Sequence, residues 1–156
     1  MTTEKLRVRK IDKGTVIDHI NSGRALTVLK ILGVTERTDQ PVSVLMNVPS
    51  SKFGKKDIVK IEDRKVEKEE INKIALTAPE ATINVIENYE VVEKKEVEFP
   101  ERIEGVVDCS NPECITNTSE PVNSKFKVVD ESPVRLRCDY CDRITEESEI
   151  IDQFRE

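Results

Sequence analysis

The sequence predicts an α+β protein with two domains, a βαββαβ sandwich over residues 1–99 and a small, mostly-β domain over residues 100–156. Strand and helix signals alternate through the first hundred residues, whereas all four cysteines come after them. Hydrophobic residues make up 37% of the chain and charged residues 36%, with no Trp. This composition favours two small cores over one large core.

The first predicted strand is interrupted by Lys13 and Gly14, and its extended-type residues are Leu6, Val8 and residues 15–20. A helix is predicted next, because apolar residues recur on one helical face at Ala25, Val28, Leu29 and Leu32. We expect Asn21 or Ser22 to cap the start of this helix and Gly33 to end it.

A β-hairpin is predicted after the first helix. Residues 42–48 are rich in β-branched and apolar types and lie between Pro41 and Pro49. A polar turn over residues 49–54 leads to residues 58–61, where apolar and polar positions alternate. We therefore expect the two strands to pair with each other.

A second helix and a last extended stretch complete the first domain. Pro79 ends the helix, whose apolar face is formed by Ile71, Ile74, Ala75 and Ala78. Residues 82–86 and 89–92 are extended in type. The order β-α-β-β-α-β is that of the ferredoxin-like unit, in which both helices pack on one face of an antiparallel sheet. The other face is left for solvent or a partner.

The domain boundary is expected at Phe99 and Pro100, because proline cannot continue a central strand. The chain has net charge −6, and residues 101–156 carry 7 Lys and Arg against 14 Asp and Glu, a net charge of −7. An acidic second domain disfavours a nucleic-acid module, which needs a cationic face. The N-terminal segment is charged, and no run approaches the ~20 apolar residues of a membrane span, so we expect a cytoplasmic protein.

The four cysteines form two short-spaced pairs. Four residues separate Cys109 from Cys114, and two residues separate Cys138 from Cys141. Two such pairs, joined by a segment long enough for a hairpin, can place four sulfurs tetrahedrally around a metal ion. Four thiolates leave no position for water, so we predict one structural Zn²⁺ in a rubredoxin-like or zinc-ribbon-like domain. Thiolates alone leave iron as an open alternative.

The first domain has weaker chemical signals. Asp18 and His19 could together bind a sugar hydroxyl and a phosphate, although a lone histidine is by default a structural or surface residue. Lys60 and Lys94 are expected in the same exposed region of the sheet. There is no Gly-rich phosphate loop and no nucleophile beside the histidine, so these residues do not favour an enzyme.

Several segments, in their order and spacing, resemble those of a known family. They are GTVIDHI at residues 14–20, GKKDIVKIE at 54–62, APEATIN at 78–84, NYEVV at 88–92 and PERI at 100–103. Together with the cysteine pairs that follow, they resemble the regulatory chain of aspartate carbamoyltransferase over nearly the whole sequence.

The resemblance implies an allosteric nucleotide-binding domain followed by a zinc domain that docks on the catalytic chain. Within the pocket, Asp18 and Lys60 are implied to contact the ribose, and His19 and Lys94 to face the phosphates. The full set of implied effector-binding residues is Ile11, Asp18, His19, Lys56, Lys60, Asn84, Tyr89, Val91 and Lys94.

The resulting hypothesis is a non-catalytic regulatory subunit that binds CTP, ATP or UTP, forms a homodimer through its first domain and controls catalytic chains in pyrimidine biosynthesis. One alternative is a zinc-ribbon adaptor for nucleic acid or for a transcription or translation assembly, which the acidic charge disfavours. Another is a small enzyme that uses Asp18 and His19 as acid and base, without a nucleophile or an open metal position. We expect neither nucleic acid nor membrane as a partner.

Overall fold

A computed structural model describes residues 10–51 and 54–155 of the chain. Leu6 and Val8 of the predicted first strand, and residues 52–53 of the predicted turn, lie outside the described residues. No helix within the described ranges is both long enough and apolar enough to cross a membrane.

Five strands of the first domain form one antiparallel sheet: β1 (Lys13–Asn21), β2 (Val42–Ser50), β3 (Gly54–Glu62), β4 (Thr82–Glu87) and β5 (Glu90–Glu96). Their order across the sheet is β2-β3-β1-β4-β5. The predicted order of elements is confirmed with one correction, since the last extended stretch is two strands. Asn88 and Tyr89 reverse the chain between them, with φ of 53° and 65°.

Two helices, α1 (Ala25–Ile31) and α2 (Lys68–Thr77), pack on one face of this sheet. The core between helices and sheet contains the fully buried side chains of Ile17, Val28, Val59 and Ile74. Because side chains alternate along a strand, the neighbours of Ile17 and Val59 face the opposite side of the sheet. The face predicted to be open is therefore not covered by either helix.

The start of α1 differs from the prediction. Neither Asn21 nor Ser22 caps the helix, and no side chain of the flanking residues makes a cap hydrogen bond. The cap comes from β3, where the fully buried Asp57 carboxylate accepts the N–H of Gly23 (2.8 Å) and of Ala25 (3.0 Å). A carboxylate distant in the sequence therefore takes the role of the local capping residue, and residue spacing does not predict it.

The second helix agrees with its prediction and adds one feature. Glu67 and Glu70 form a reciprocal capping box at its start, and Ile71 and Ile74 are buried on its predicted face. Leu76 is also buried, with 1% of its surface exposed, but it belongs to the core of the second domain. The helix therefore supplies apolar residues to both domains.

The second domain is a four-stranded antiparallel meander followed by a helix. The strands are β6 (Arg102–Glu104), β7 (Lys125–Glu131), β8 (Val134–Cys138) and β9 (Ile144–Glu146), paired in that order. Helix α3 (Glu147–Arg155) was not predicted. It packs against α1 and α2, and its Ile150 is fully buried with Phe126 and Leu136. The mostly-β prediction is confirmed, with α3 as the element that joins the two domains.

Candidate metal centre and effector surface

The four cysteine sulfurs come together at one point of the second domain. All four Sγ atoms lie within 4.8 Å of one another, with 3.6 Å between Cys109 and Cys141 and 3.7 Å between Cys114 and Cys138. A tetrahedral zinc ion with Zn–S bonds of about 2.3 Å requires sulfurs about 3.8 Å apart. The donor set therefore fits one zinc ion with no coordination position open for water.

The meander positions these ligands from two loops. Cys109 and Cys114 lie in the long connection between β6 and β7, and Cys138 is the last residue of β8. Cys141 lies in the turn that leads to β9 and is half-buried, whereas the other three are buried. A centre that ties together both loops is expected to supply much of the folding energy of so small a domain.

Hydrogen-bond donors surround the sulfurs and stabilise their negative charge. Two donors are backbone groups and one is a side-chain hydroxyl. They are the Asn111 N–H to Cys109 (3.5 Å), the Tyr140 N–H to Cys138 (3.4 Å) and the Thr116 hydroxyl to Cys114 (3.2 Å).

Burial disfavours the ionisation of two of the four thiols. Burial raises the pKa of Cys109 to about 12 and raises the pKa of Cys138. Burial acts in the same direction on Cys141, but the Arg143 N–H and the Asn111 side chain bring its pKa to about 7. At neutral pH, Cys109 and Cys138 are therefore expected to give up their protons when a cation binds.

A cavity of about 380 Å³ lies on the uncovered face of the first sheet. It combines two ammonium groups and one carboxylate with an apolar wall and the exposed ring of Tyr89. The residues that line it are Lys10, Ile11, Val16, Asp18, Ile58, Lys60, Asn84, Ile86, Tyr89 and Val91. Such a lining suits a ligand with anionic groups and a flat, partly apolar ring. We call this region the effector surface.

Another cavity of about 380 Å³ lies between α2 and β6. Its rim combines Glu69 and Glu104 with Lys73 and Arg102. Because these charges offset one another, this cavity offers no selection for an anionic ligand.

Comparison with known proteins decides between the alternatives. The allosteric domain of the aspartate carbamoyltransferase regulatory chain matches residues 6–98, and the metal-binding domain of that chain matches residues 101–151. The protein belongs to this family of regulatory chains.

Individual relatives support the same assignment. The aspartate carbamoyltransferase regulatory chain of Korarchaeum cryptofilum is 54% identical over 152 residues, which cover 97% of each chain. That of Methanothrix thermoacetophila is 58% identical over 92% of this chain and 93% of its own. That of Pyrococcus horikoshii is 53% identical over 94% and 97%. The resemblance seen in the sequence is confirmed, and the family is one of regulatory rather than catalytic chains.

The effector surface of this regulatory chain contains six of the nine residues that the resemblance implied. Lys56 lies at its border, because its ammonium forms a 2.9 Å ion pair with Asp18. Lys94 is the register partner of Asn84, so the two residues share a face of the sheet. His19 is less central: it lies in the irregular part of β1, and its Nδ1 is 3.1 Å from Thr82 Oγ1.

Four residues of this surface were not predicted. Three of them lie two positions from a predicted residue on the same strand, namely Val16, Ile58 and Ile86. Strand periodicity could have found these three, because positions i and i+2 share a face. Lys10 precedes β1, and no pattern in the sequence points to it.

Proposed function

We propose that this regulatory chain binds nucleoside triphosphates on its effector surface and passes their effect to aspartate carbamoyltransferase catalytic chains through its zinc domain. The two roles divide between residues 1–99 and residues 100–156. The observation that supports this best is the effector surface itself, where Lys60 and the paired Asp18 and Lys56 border an apolar wall. Ammonium groups suit the phosphates, a carboxylate accepts ribose hydroxyls, and the wall suits a base.

The nucleotides that we propose as effectors are CTP, ATP and UTP, which would control pyrimidine biosynthesis through the catalytic chains. Binding controls the enzyme only to the extent that each nucleotide prefers one state of the assembly, typically by about 1 to 3 kcal/mol. The zinc centre takes no part in chemistry. It holds the loop that contains Cys109 and Cys114 in the shape that the catalytic chain contacts.

Calorimetric titration of CTP and ATP into the zinc-loaded chain tests nucleotide binding. Lys94→Ala is expected to weaken CTP binding about tenfold, because a charge-assisted hydrogen bond is lost. Lys95→Ala is the matched control, since Lys95 pairs with Ile83 of the buried face and points away from the effector surface. Equal CTP affinities in both variants and in wild type would contradict the assignment of Lys94 to the nucleotide site.

Mixing the chain with its catalytic chain and measuring mass by light scattering tests docking. The zinc-loaded chain is expected to form a larger complex, and the chelator-treated chain is not. A complex of the same mass after removal of zinc would contradict a docking role for the metal-held loop.

We also propose a homodimer through the first domain, with β2 as the contact. Both outer strands of the sheet are edges, but every residue of β5 is exposed and five of its seven residues are charged, which discourages pairing. The other edge, β2, carries Val42, Val44 and Leu45 together with the exposed Met46. Met46→Lys is expected to shift the chain toward monomer in sedimentation experiments, while Lys95→Glu on β5 leaves the dimer intact. The cytoplasmic location stays a prediction.

A further inference from the structure

An ion pair between Arg24 and Glu147 links the two domains. The Arg24 guanidinium donates through Nη2 to Glu147 Oε1 at 2.9 Å and through Nη1 to the Thr77 carbonyl at 2.8 Å. The two charged side chains are only 23% and 20% exposed. One guanidinium therefore connects the start of α1, the end of α2 and the first residue of α3. Partial burial makes such a pair less sensitive to salt than a fully exposed pair.

This pair is distinct from the other ion pairs of the described ranges. Each of those pairs joins residues within one domain, for example Arg64 with Glu70 and Arg102 with Asp139. Arg24 with Glu147 alone crosses between domains in the part of the chain that the structure describes.

In the second domain, Glu147 is connected to the metal centre through strand β8. The other oxygen of Glu147, Oε2, accepts the N–H of Val134 at 2.8 Å. Val134 is the fully buried first residue of β8, and β8 ends at the metal ligand Cys138. A shift of Glu147 therefore acts on the strand that holds one of the four sulfurs.

In the first domain, Arg24 is connected to the effector surface through Asp57 of β3. Asp57 accepts the N–H groups of Gly23 and Ala25, the two neighbours of Arg24. In β3, Asp57 lies between Lys56, which pairs with Asp18, and Ile58, which lines the cavity. A ligand that moves this part of β3 therefore moves the backbone that carries Arg24.

We propose that the Arg24–Glu147 pair couples the effector surface to the metal domain. The proposal rests on the proposed function, because it requires a nucleotide to bind on the first sheet. It assigns the pair a positioning role without contact to the nucleotide or the metal. Loss of the pair leaves both sites able to bind their ligands, but the response of the second domain to nucleotide is lost.

Hydrogen exchange of the full, zinc-loaded chain, with and without saturating CTP, tests this role together with calorimetry of CTP binding. In wild type, CTP is expected to change the hydrogen-exchange rates of the amides in β8 and α3 by at least about fivefold. This factor is the lower end of typical allosteric coupling. Arg24→Met and Glu147→Gln are each expected to abolish that change while the CTP dissociation constant and the zinc content stay those of wild type. Glutamine keeps an oxygen for the Val134 N–H, so this variant isolates the loss of the ion pair.

The matched control is Arg64→Met. Arg64 forms an ion pair with Glu70, and the two side chains are 26% and 21% exposed, nearly as in the Arg24–Glu147 pair. This pair lies within the first domain. This variant is expected to keep the full CTP response in the second domain. The double variant, Arg24→Met with Glu147→Gln, should match each single variant in its response to CTP, because both substitutions remove the same ion pair.

The possible results separate the two proposals. CTP binding with an undiminished second-domain response in Arg24→Met or Glu147→Gln overturns the coupling role and leaves the proposed function standing. The absence of CTP and ATP binding to wild type overturns the proposed function and the coupling role with it. If Arg24→Met loses its zinc or unfolds, the milder Glu147→Gln decides the question alone.

Discussion

The carboxylate of Asp57 on β3 accepts the backbone N–H of Ala25, the first residue of α1, at 3.0 Å. The same carboxylate accepts the N–H groups of Gly23 at 2.8 Å and of Asn47 at 2.9 Å. One fully buried side chain therefore satisfies three backbone donors, at the start of a helix and in the irregular part of β2. This arrangement fixes α1, and with it Arg24, to the sheet that carries the effector surface.

Asp57→Ala is expected to destabilise the first domain by about 2 to 3 kcal/mol, because the buried N–H of Ala25 and the partly buried N–H groups of Gly23 and Asn47 lose their acceptor. The measurement is urea denaturation followed by circular dichroism. Asp39→Ala, in an exposed loop, is the control and is expected to change the stability by less than about 0.5 kcal/mol. A loss at Asp57 no larger than at Asp39 would contradict the capping role.

Leu76→Ala is expected to lower the free energy of unfolding by about 2 to 5 kcal/mol. The second domain should be the one that is destabilised, although Leu76 lies on α2. Ile74→Ala, two residues earlier on the same helix, should instead weaken the first core. Hydrogen exchange resolved by residue distinguishes the two effects. If both variants loosen the same set of amides, the separation of the two cores is wrong.

Thr116→Val is expected to lower zinc affinity by about tenfold, because the hydroxyl donor to the Cys114 sulfur is removed. Competition with a chromogenic chelator measures this change. Thr116→Ser keeps a hydroxyl and should retain most of the affinity. A valine variant that binds zinc as tightly as wild type would contradict the role of the hydroxyl.

Zinc affinity is expected to fall as the pH is lowered. The pKa of Cys109 is raised to about 12 and that of Cys138 is also raised, both mainly by burial, so zinc must displace protons from these thiols. A higher proton concentration opposes this displacement, and the apparent dissociation constant therefore rises with acidity. Titration with a competitor chelator at several pH values measures this, and an affinity independent of pH near neutrality would contradict it.

Removal of zinc at neutral pH is expected to unfold the meander of β6 to β9, since four buried or half-buried thiols then lose the ion that holds two loops together. Amide signals of the first-domain strands should persist, apart from those next to α3. The readout is an NMR spectrum before and after chelation, and restoration by added zinc is the control. A chelated protein with the spectrum of the loaded one would refute a structural role for the metal.

Local patterns were sufficient to predict much of this architecture. The spacing of Ile71 and Ile74 predicted the buried face of α2, and two cysteine pairs predicted the metal ligands. Helix α3 was missed because its apolar positions are few, namely Ile150, Ile151 and Phe154. Its buried face becomes apparent only once α1 and α2 are seen to pack against it.

The sequence by itself determined most of the order of elements in the first domain and the four thiolate ligands, because these depend on periodicity and spacing over a few residues, and it indicated the family through the resemblance of several segments. Only the tertiary structure decided that Asp57 caps α1, that Leu76 serves the second core and that Arg24 meets Glu147 across 123 positions of the chain. Such contacts depend on how distant elements pack, and a hydrogen bond or a buried contact between them leaves no periodic trace in either segment.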